Sequence, residues 1–583
     1  MKNKIISFLN SLFVNHYHYS FFKKLENLFV KMRYTEKIIL SILVLIVAIS
    51  GLNLFYCVNK AFLVEIPVFG GEFTEGLIGS PRFINPVLAI SDTDKDLVSL
   101  IYSGLLKPSK NGDHELDLAE SYKIGGGGTT YEFTLKNDIY FHDGKKITVD
   151  DIIFTIEKVM DPIIKSPKKT NWEGVLVEKI DDQNIKFTLE KPYIPFFQTL
   201  TLGVLPKHIW QDISAEEFPF SDYNIKPIGS GPYRVEKIVK NSGGIPTSIT
   251  LNSWKKYSPE RPKIKSIILE FFQNETELVE AFKKETVGST VGFNPKTIRD
   301  LKISPELIKE SSLPRVFGVF LNQNLSPVLL HQEIREALKI SAPKQKILDE
   351  VLLGFGRILN GPTPINIEEN TLKTAGDLEA AKTLLEKKGW KMNEESILEK
   401  ETKEGKDVFS FSISTSDTPE LKEVAQILKE TWEKLGASIT VKIFEASDLN
   451  QNVIRPRKYD ALLFGEVVGE DSDLYPFWHS AERNDPGLNI SLYANITVDK
   501  NLEDLQKEIE EQEKISKKEE IFAEIDNDIP AIFLFSPHMI YLKSPEVKNI
   551  TMKNVSAPNE RFIEINEWFI ETDKVWKIFA PGN

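Results

Sequence analysis

Residues 131–158 read YEFTLKNDIYFHDGKKITVDDIIFTIEK, and the order of structural signals along them decides the fold class. Tyr131, Phe133 and Leu135 alternate with polar neighbours, the period of a half-buried strand. His142-Asp143-Gly144-Lys145-Lys146 then forms a turn. Thr148 stands where a helix N-cap belongs, so a helix is expected over Val149 to Met160, with Asp150 and Asp151 complementing the dipole of its first turn. These adjacent aspartates resemble a catalytic acid and base. Neighbours in sequence leave a helix in different directions, so capping is the better reading. A strand, a turn and a capped helix in so short a unit point to an α/β chain.

The same alternation extends outward. Gly125 to Gly128 lack the Gly-Lys-Ser/Thr ending of a phosphate loop and precede a strand, so they read as a hairpin turn. Val64 to Pro81 reads as one strand, 94–106 as a helix through Leu97, Leu100, Ile101 and Leu105, and Lys186 to Leu189 as a strand. Downstream, Asp377 to Gly389 and Pro419 to Leu435 are amphipathic helices closed by glycine, while Ile439 to Phe444 and Lys458 to Phe464 are strands. Residues 501–523 read as one helix with a solvated, charged face.

Ile38 to Val58, IILSILVLIVAISGLNLFYCV, carries no charge and is long enough for a hydrocarbon core of about 30 Å. Lys2, Lys4, Lys23, Lys24, Lys31, Arg33 and Lys37 precede it against Glu26 and Glu36. The positive-inside rule therefore leaves residues 1–37, a basic and partly amphipathic segment, in the cytoplasm and the main body outside. An uncleaved transmembrane helix is the reading taken. Cleavage would need a shorter apolar run and a small-residue site, and lipid on Cys57 would follow the bulky Leu54-Phe55-Tyr56. Cys57 is the only cysteine, so no intrachain disulfide forms. The net charge of -13 is concentrated beyond the basic N-terminus, and so acidic a body repels phosphate backbones. Nucleic acid is not an expected partner.

Several further segments recur in a fixed order: RFINPVL at 82–88, VSLIYSGLL at 98–106, the 131–158 unit, IGSGPY at 228–233, IREALKISAPKQKILDEVLL at 334–353, LLEKKGW ending at 390 and IPAIFLFSPHMIYL at 529–542. This series resembles the family 5 solute-binding proteins, which serve oligopeptide, dipeptide and nickel importers, and the resemblance covers about residues 68 to 570. It implies a type II periplasmic-binding-protein-like fold: two α/β lobes joined by crossing strands, plus an inserted subdomain, here behind one transmembrane helix. Lobe I is expected at about 65–312 and 530–583, the insert at about 107–205 and lobe II at about 313–529. The implied function is capture of a peptide between the lobes by a monomer and its delivery to an ABC permease. A ligand-sensing receptor with the same clamshell is the alternative, as is a non-peptide solute such as a metal chelate.

Each conspicuous residue also has a structural reading. Asn85 belongs to a turn at the cleft edge, Gly231 permits a tight turn, and Tyr233 either lines the cleft or fills the lobe core. Tyr475 and Trp478 form an aromatic wall or pack a loop onto lobe II. Many relatives place a tryptophan and then an aspartate, which receives the peptide ammonium, after the strand matching Tyr459–Phe464. Here Glu466 and Val468 occupy those places, which puts the usual amine contact in doubt. Glu466, Glu470, Asp471 and Asp473 are the carboxylates left to supply it, with loop solvation as the alternative. No H-E-x-x-H, G-x-S-x-G or complete phosphate loop is present, and His142 and His479 read as hydrogen-bonded loop residues. No catalytic residue, metal site or cofactor is expected.

Overall fold

The computed structural model describes residues 28 and 30–580, apart from 110–112, 194–195, 259, 365–375, 404, 469–472, 507–509 and 553–554. Residues 1–27 and 29 of the basic segment expected before the apolar run lie outside the described residues, as do Glu470 and Asp471. Contacts divide the chain into two units, Met1–Val68 with Thr572–Asn583, and Phe69–Glu571.

The first unit is built on helix α1, Tyr34–Phe62, which buries none of its side chains and is long and apolar enough to cross a membrane. Glu36 receives the Arg33 N–H at 2.8 Å, which caps the first turn. Strand β1, Leu63–Pro67, follows directly and pairs antiparallel with Thr572–Trp576, so that Leu63 faces Trp576 and Pro67 faces Thr572. Two expectations change here. Val64–Pro81 is two strands in different units, and the end of the chain from Thr572 joins the N-terminal unit instead of lobe I. The cause is the β1 ladder together with the stacking of Trp576 on Phe62, with ring centres 6.2 Å apart.

In the second unit, β2 (Gly70–Ile78) leads through the 82–88 loop into helix α2 (Asp92–Ile101), whose N-terminal Asp94 N–H donates to Ser91 at 3.1 Å. The helix ends five residues before the expected 106, because the chain must pass Gly104, where a Cβ would lie 2.7 Å from the Thr201 carbonyl. The insert holds β3 (Thr130–Leu135) between Ala119–Gly125 and Asn184–Leu189 in a four-stranded antiparallel sheet completed by Val175–Lys179. The Gly125–Gly128 stretch is the hairpin turn between the first two. Helix α3 is Val149–Met160, and Asp151 accepts the Thr148 N–H and hydroxyl, both at 2.9 Å.

Strand β4 (Ile264–Phe272) runs parallel to β2. Chain crossing between lobes occurs twice. Strands β5 (Ile308–Ser312) and β6 (Arg315–Leu321) carry the chain over, and a long return strand brings it back. Lobe II contributes helix α4, Pro419–Leu435, closed by Gly436 at φ +103°, and strand β7, Ala461–Val467, which pairs with β6 and lies parallel to Ser410–Ser416. The segment expected as one helix at 501–523 is two, Ile496–Leu505 and Glu511–Asp528, tied by Lys517 to Asp504 at 3.0 Å.

The return strand β8, Ala531–Leu542, joins the two halves into one twelve-stranded sheet. Its first residues pair with β6 and its last with β5. Burial follows the same division: Ile532, Leu534 and Phe535 pack among lobe II residues such as Leu338 and Trp432, whereas Tyr541 packs with Phe73, Leu97 and Trp568. The junction falls at Pro537, which has no N–H to give the ladder. Lobe I is pinned by Arg561, fully buried, which donates to both Asp96 oxygens at 2.7 Å and to Glu75 at 2.6 and 2.9 Å. Tyr541 Oη donates to the other Glu75 oxygen at 3.0 Å. This network joins β2, α2, β8 and the 558–562 turn. Burial pushes both carboxyls up, and the guanidinium pulls against it.

Candidate functional site

Parallel strands in open α/β sheets present ligands outside their carboxyl ends. In lobe I the loop at 82–88 leaves the carboxyl end of β2, and in lobe II Glu466 sits at the carboxyl end of β7. These two edges are the places where a solute is expected.

On the lobe I side lies a cavity of about 420 Å³, within the range of small-molecule sites. Pro86 and Ala89 line it from the segment before α2, Val98 from α2, Tyr102 from just past its end, Trp172 and Gln198 from the insert, and Tyr257, Glu560 and Asn566 complete it. Among the described residues all of its lining comes from lobe I, the insert and 557–566. Asp117 is the buried acid of its wall, 5% exposed, with Tyr257 Oη at 3.5 Å and the Lys136 ammonium donating to its main-chain carbonyl at 2.5 Å. Burial pushes its carboxyl up to about 6, against the pull of Lys107 and Lys136. Sequence reasoning passed over Asp117 because it lies between Leu116 and Leu118, where alternation assigns a polar residue to the outside.

On the lobe II side, Glu466 is 6% exposed and faces Val316 of β6 across the ladder. It has no hydrogen bond or ion pair among the described residues. Burial drives its carboxyl well above the usual range, and Arg457 opposes this only in part. Strand β7 begins at Ala461 and not at Lys458, because Arg457 turns at φ +55° and its guanidinium donates to the Ile454 and Gly487 carbonyls at 2.8 and 2.6 Å. That shift moves Glu466 from a solvated loop into the strand. Loop solvation therefore does not describe it.

Asn85 is fully buried, its amide donating to Asn224 at 3.0 Å and its oxygen accepting the Val87 N–H at 2.9 Å, so its polar groups serve the turn. A Cβ at Gly231 would lie 2.6 Å from the Ile101 carbonyl carbon, which explains the glycine by close backbone approach. Tyr233 is buried in the lobe I core, with Oη donating to the Ile264 carbonyl at 3.0 Å. Trp478, 1% exposed, packs edge-on to Tyr493 and Phe533 in the core of lobe II. Tyr475 is half-buried and stacks on His479 at 4.1 Å, and Asp473 accepts the Tyr475 N–H at 3.1 Å. Thus Asn85, Tyr233 and Trp478 are held inside their lobes, Asp473 and Tyr475 sit together after β7, and Glu466 stands near the end of β7 itself. Among the described residues no His, Cys, Asp and Glu group is placed to hold a metal ion.

The family described as bacterial extracellular solute-binding proteins, family 5 Middle, matches residues 114–485. The oligopeptide-binding protein AppA of Bacillus subtilis is 27% identical over 494 residues, which cover 81% of this chain and 87% of that protein. The AppA structure in complex with a nonapeptide superimposes with a TM-score of 0.66 at 25% identity, covering 87% of this chain and 100% of the other. The structure of NikZ from Campylobacter jejuni in complex with Ni(L-His), at 23% identity and a TM-score of 0.66, covers 85% of this chain and 99% of its own and shares the fold.

Proposed function

Because this chain belongs to the bacterial extracellular solute-binding proteins of family 5, we propose that it captures peptides outside the cell and delivers them to an ABC permease. The observation that carries the peptide reading is Glu466, a buried acid at the carboxyl edge of lobe II with no hydrogen bond or ion pair among the described residues. An unpaired buried acid is costly, and a ligand ammonium removes that cost. The AppA relative, an oligopeptide-binding protein bound to a nonapeptide, supports the same substrate class. The cavity beside α2 receives the remainder of the ligand, with Asp117 and Asn566 as polar contacts and Trp172 as an apolar wall. Glu466, Asp473 and Tyr475 form the facing side when the lobes close.

Helix α1 anchors the monomer in the membrane with its N-terminus inside, which leaves every later residue on the side where peptides arrive. Titration calorimetry of the full-length protein in detergent against mixed short peptides is expected to show saturable heat, with compaction on small-angle scattering. Absence of both heat and compaction would overturn the peptide assignment.

A further inference from the structure

The antiparallel register of β1 with Thr572–Trp576 has a directional consequence. Strand β1 leaves α1 and runs away from it, so its partner runs back toward the helix end, and Trp576 arrives level with Leu63. Its indole N–H donates to the Asn59 side-chain oxygen at 2.8 Å, and its ring stacks on Phe62. Asn59 and Phe62 lie in the turn of α1 just past the uncharged run that ends at Val58. A run of that length crosses a hydrocarbon core of about 30 Å, which puts this turn at the lipid–water boundary. The chain continues from Trp576 as a short 3-10 turn, Lys577–Phe579, in which Ile578 is 70% and Phe579 74% exposed.

We infer that Trp576, Ile578 and Phe579 enter the outer interfacial layer of the phospholipid bilayer as a second membrane contact, beside the exit of α1. This rests on the reading of α1 as a membrane anchor. Tryptophan with one polar tip and one apolar body suits that layer, and two large apolar side chains exposed next to it have a low-energy environment there and not in water. The Lys60 and Lys577 ammonium groups flank the segment at headgroup height and suit anionic lipid. The second contact thereby restrains rotation of the N-terminal unit about α1, which a single helix alone leaves free.

The test uses the full-length protein in vesicles of phosphatidylcholine and phosphatidylglycerol, with an environment-sensitive maleimide as reporter. Native Cys57, exposed on α1, reports insertion of the anchor. In a Cys57→Ser background, Phe579→Cys and separately Ile578→Cys report the C-terminal turn, and Lys387→Cys on the exposed surface reports water. Nitroxide lipids labelled near the headgroup are expected to quench the Cys57 label and both C-terminal labels at least about twofold, and the Lys387→Cys label hardly at all. Quenching at Cys57 without quenching at either C-terminal position overturns the second contact and leaves the anchor intact. Absence of quenching at Cys57 overturns the anchor itself, and the second contact with it.

Discussion

In the proposed reading, Glu466 is the side chain of lobe II that meets the ligand's ammonium group. Burial at the end of β7 favours its protonated form, and with no partner among the described residues the proton is held until something cationic replaces it. Binding of an ammonium group lowers the carboxyl pKa, so it expels a proton. Affinity for peptides with a free amine therefore rises as pH rises toward the point where the empty site ionises by itself. Titrations in buffers of different ionisation enthalpy measure that proton directly. Glu466→Gln is expected to weaken free-amine peptides by about tenfold, to abolish the proton release, and to change N-acetylated peptides by less than about twofold. Equal losses for both peptide classes would deny the carboxylate its electrostatic role.

At the scale of elements, the turn at Gly229–Gly231 is fastened to the His142 turn of the insert. The ring Nε2–H donates to the Gly231 carbonyl at 3.1 Å, Nδ1 accepts the Gly229 N–H at 3.4 Å, and the His142 N–H donates to the Gly229 carbonyl at 2.8 Å. This arrangement requires the neutral ring, and burial pushes the imidazole down to about 4, with the Gly231 carbonyl working in the opposite direction. In the unfolded chain the ring takes its proton near pH 6.5. Between these two values the unfolded state binds a proton that the native state refuses, so stability is lost as pH falls from about 6.5 toward 4. The loss over this interval is about 2 to 3 kcal/mol. Asp117, raised to about 6, acts in the opposite sense, since its destabilising charge disappears on acidification. Urea unfolding of the wild type and His142→Gln, each at pH 7 and pH 4, isolates the histidine because Asp117 is common to both. The wild type is expected to lose about 2 to 3 kcal/mol more than the variant over this interval. Much of this element was legible in the sequence: the strand at 131, the cap at Thr148 and the helix to Met160 fall where local propensity, capping and periodicity agree. The site was less legible. Asp117 lies against Tyr257 from far along the chain, the start of β7 follows an Arg457 turn held by the Gly487 carbonyl, and Asn85 and Tyr233 are bonded to partners far along the chain. No local pattern encodes contacts of that kind.

For the whole molecule, the two lobes are joined by β8 and by the β5–β6 passage, and the rungs on either side of Pro537 belong to different lobes. A ligand enclosed between lobes enters only if they move apart and leaves only if they do so again. Among the described residues, Lys296 of the helix Pro295–Asp300 in lobe I reaches across, away from these strands, to Glu423 of α4 in lobe II at 2.6 Å. Both side chains are well exposed, so the pair itself contributes little to stability and serves best as a marker of lobe spacing. In a Cys57→Ser background, Lys296→Cys with Glu423→Cys provides two thiols that a short, reducible bis-thiosulfonate can bridge. The bridged, peptide-free protein is expected neither to bind peptide nor to compact in scattering, and reduction is expected to restore both. Unbridged, the double variant should bind within about threefold of wild type, which separates the constraint from the loss of the ion pair. Full affinity in the bridged form would mean that peptide reaches its site without relative motion of the lobes, and lobe closure would then have no part in capture.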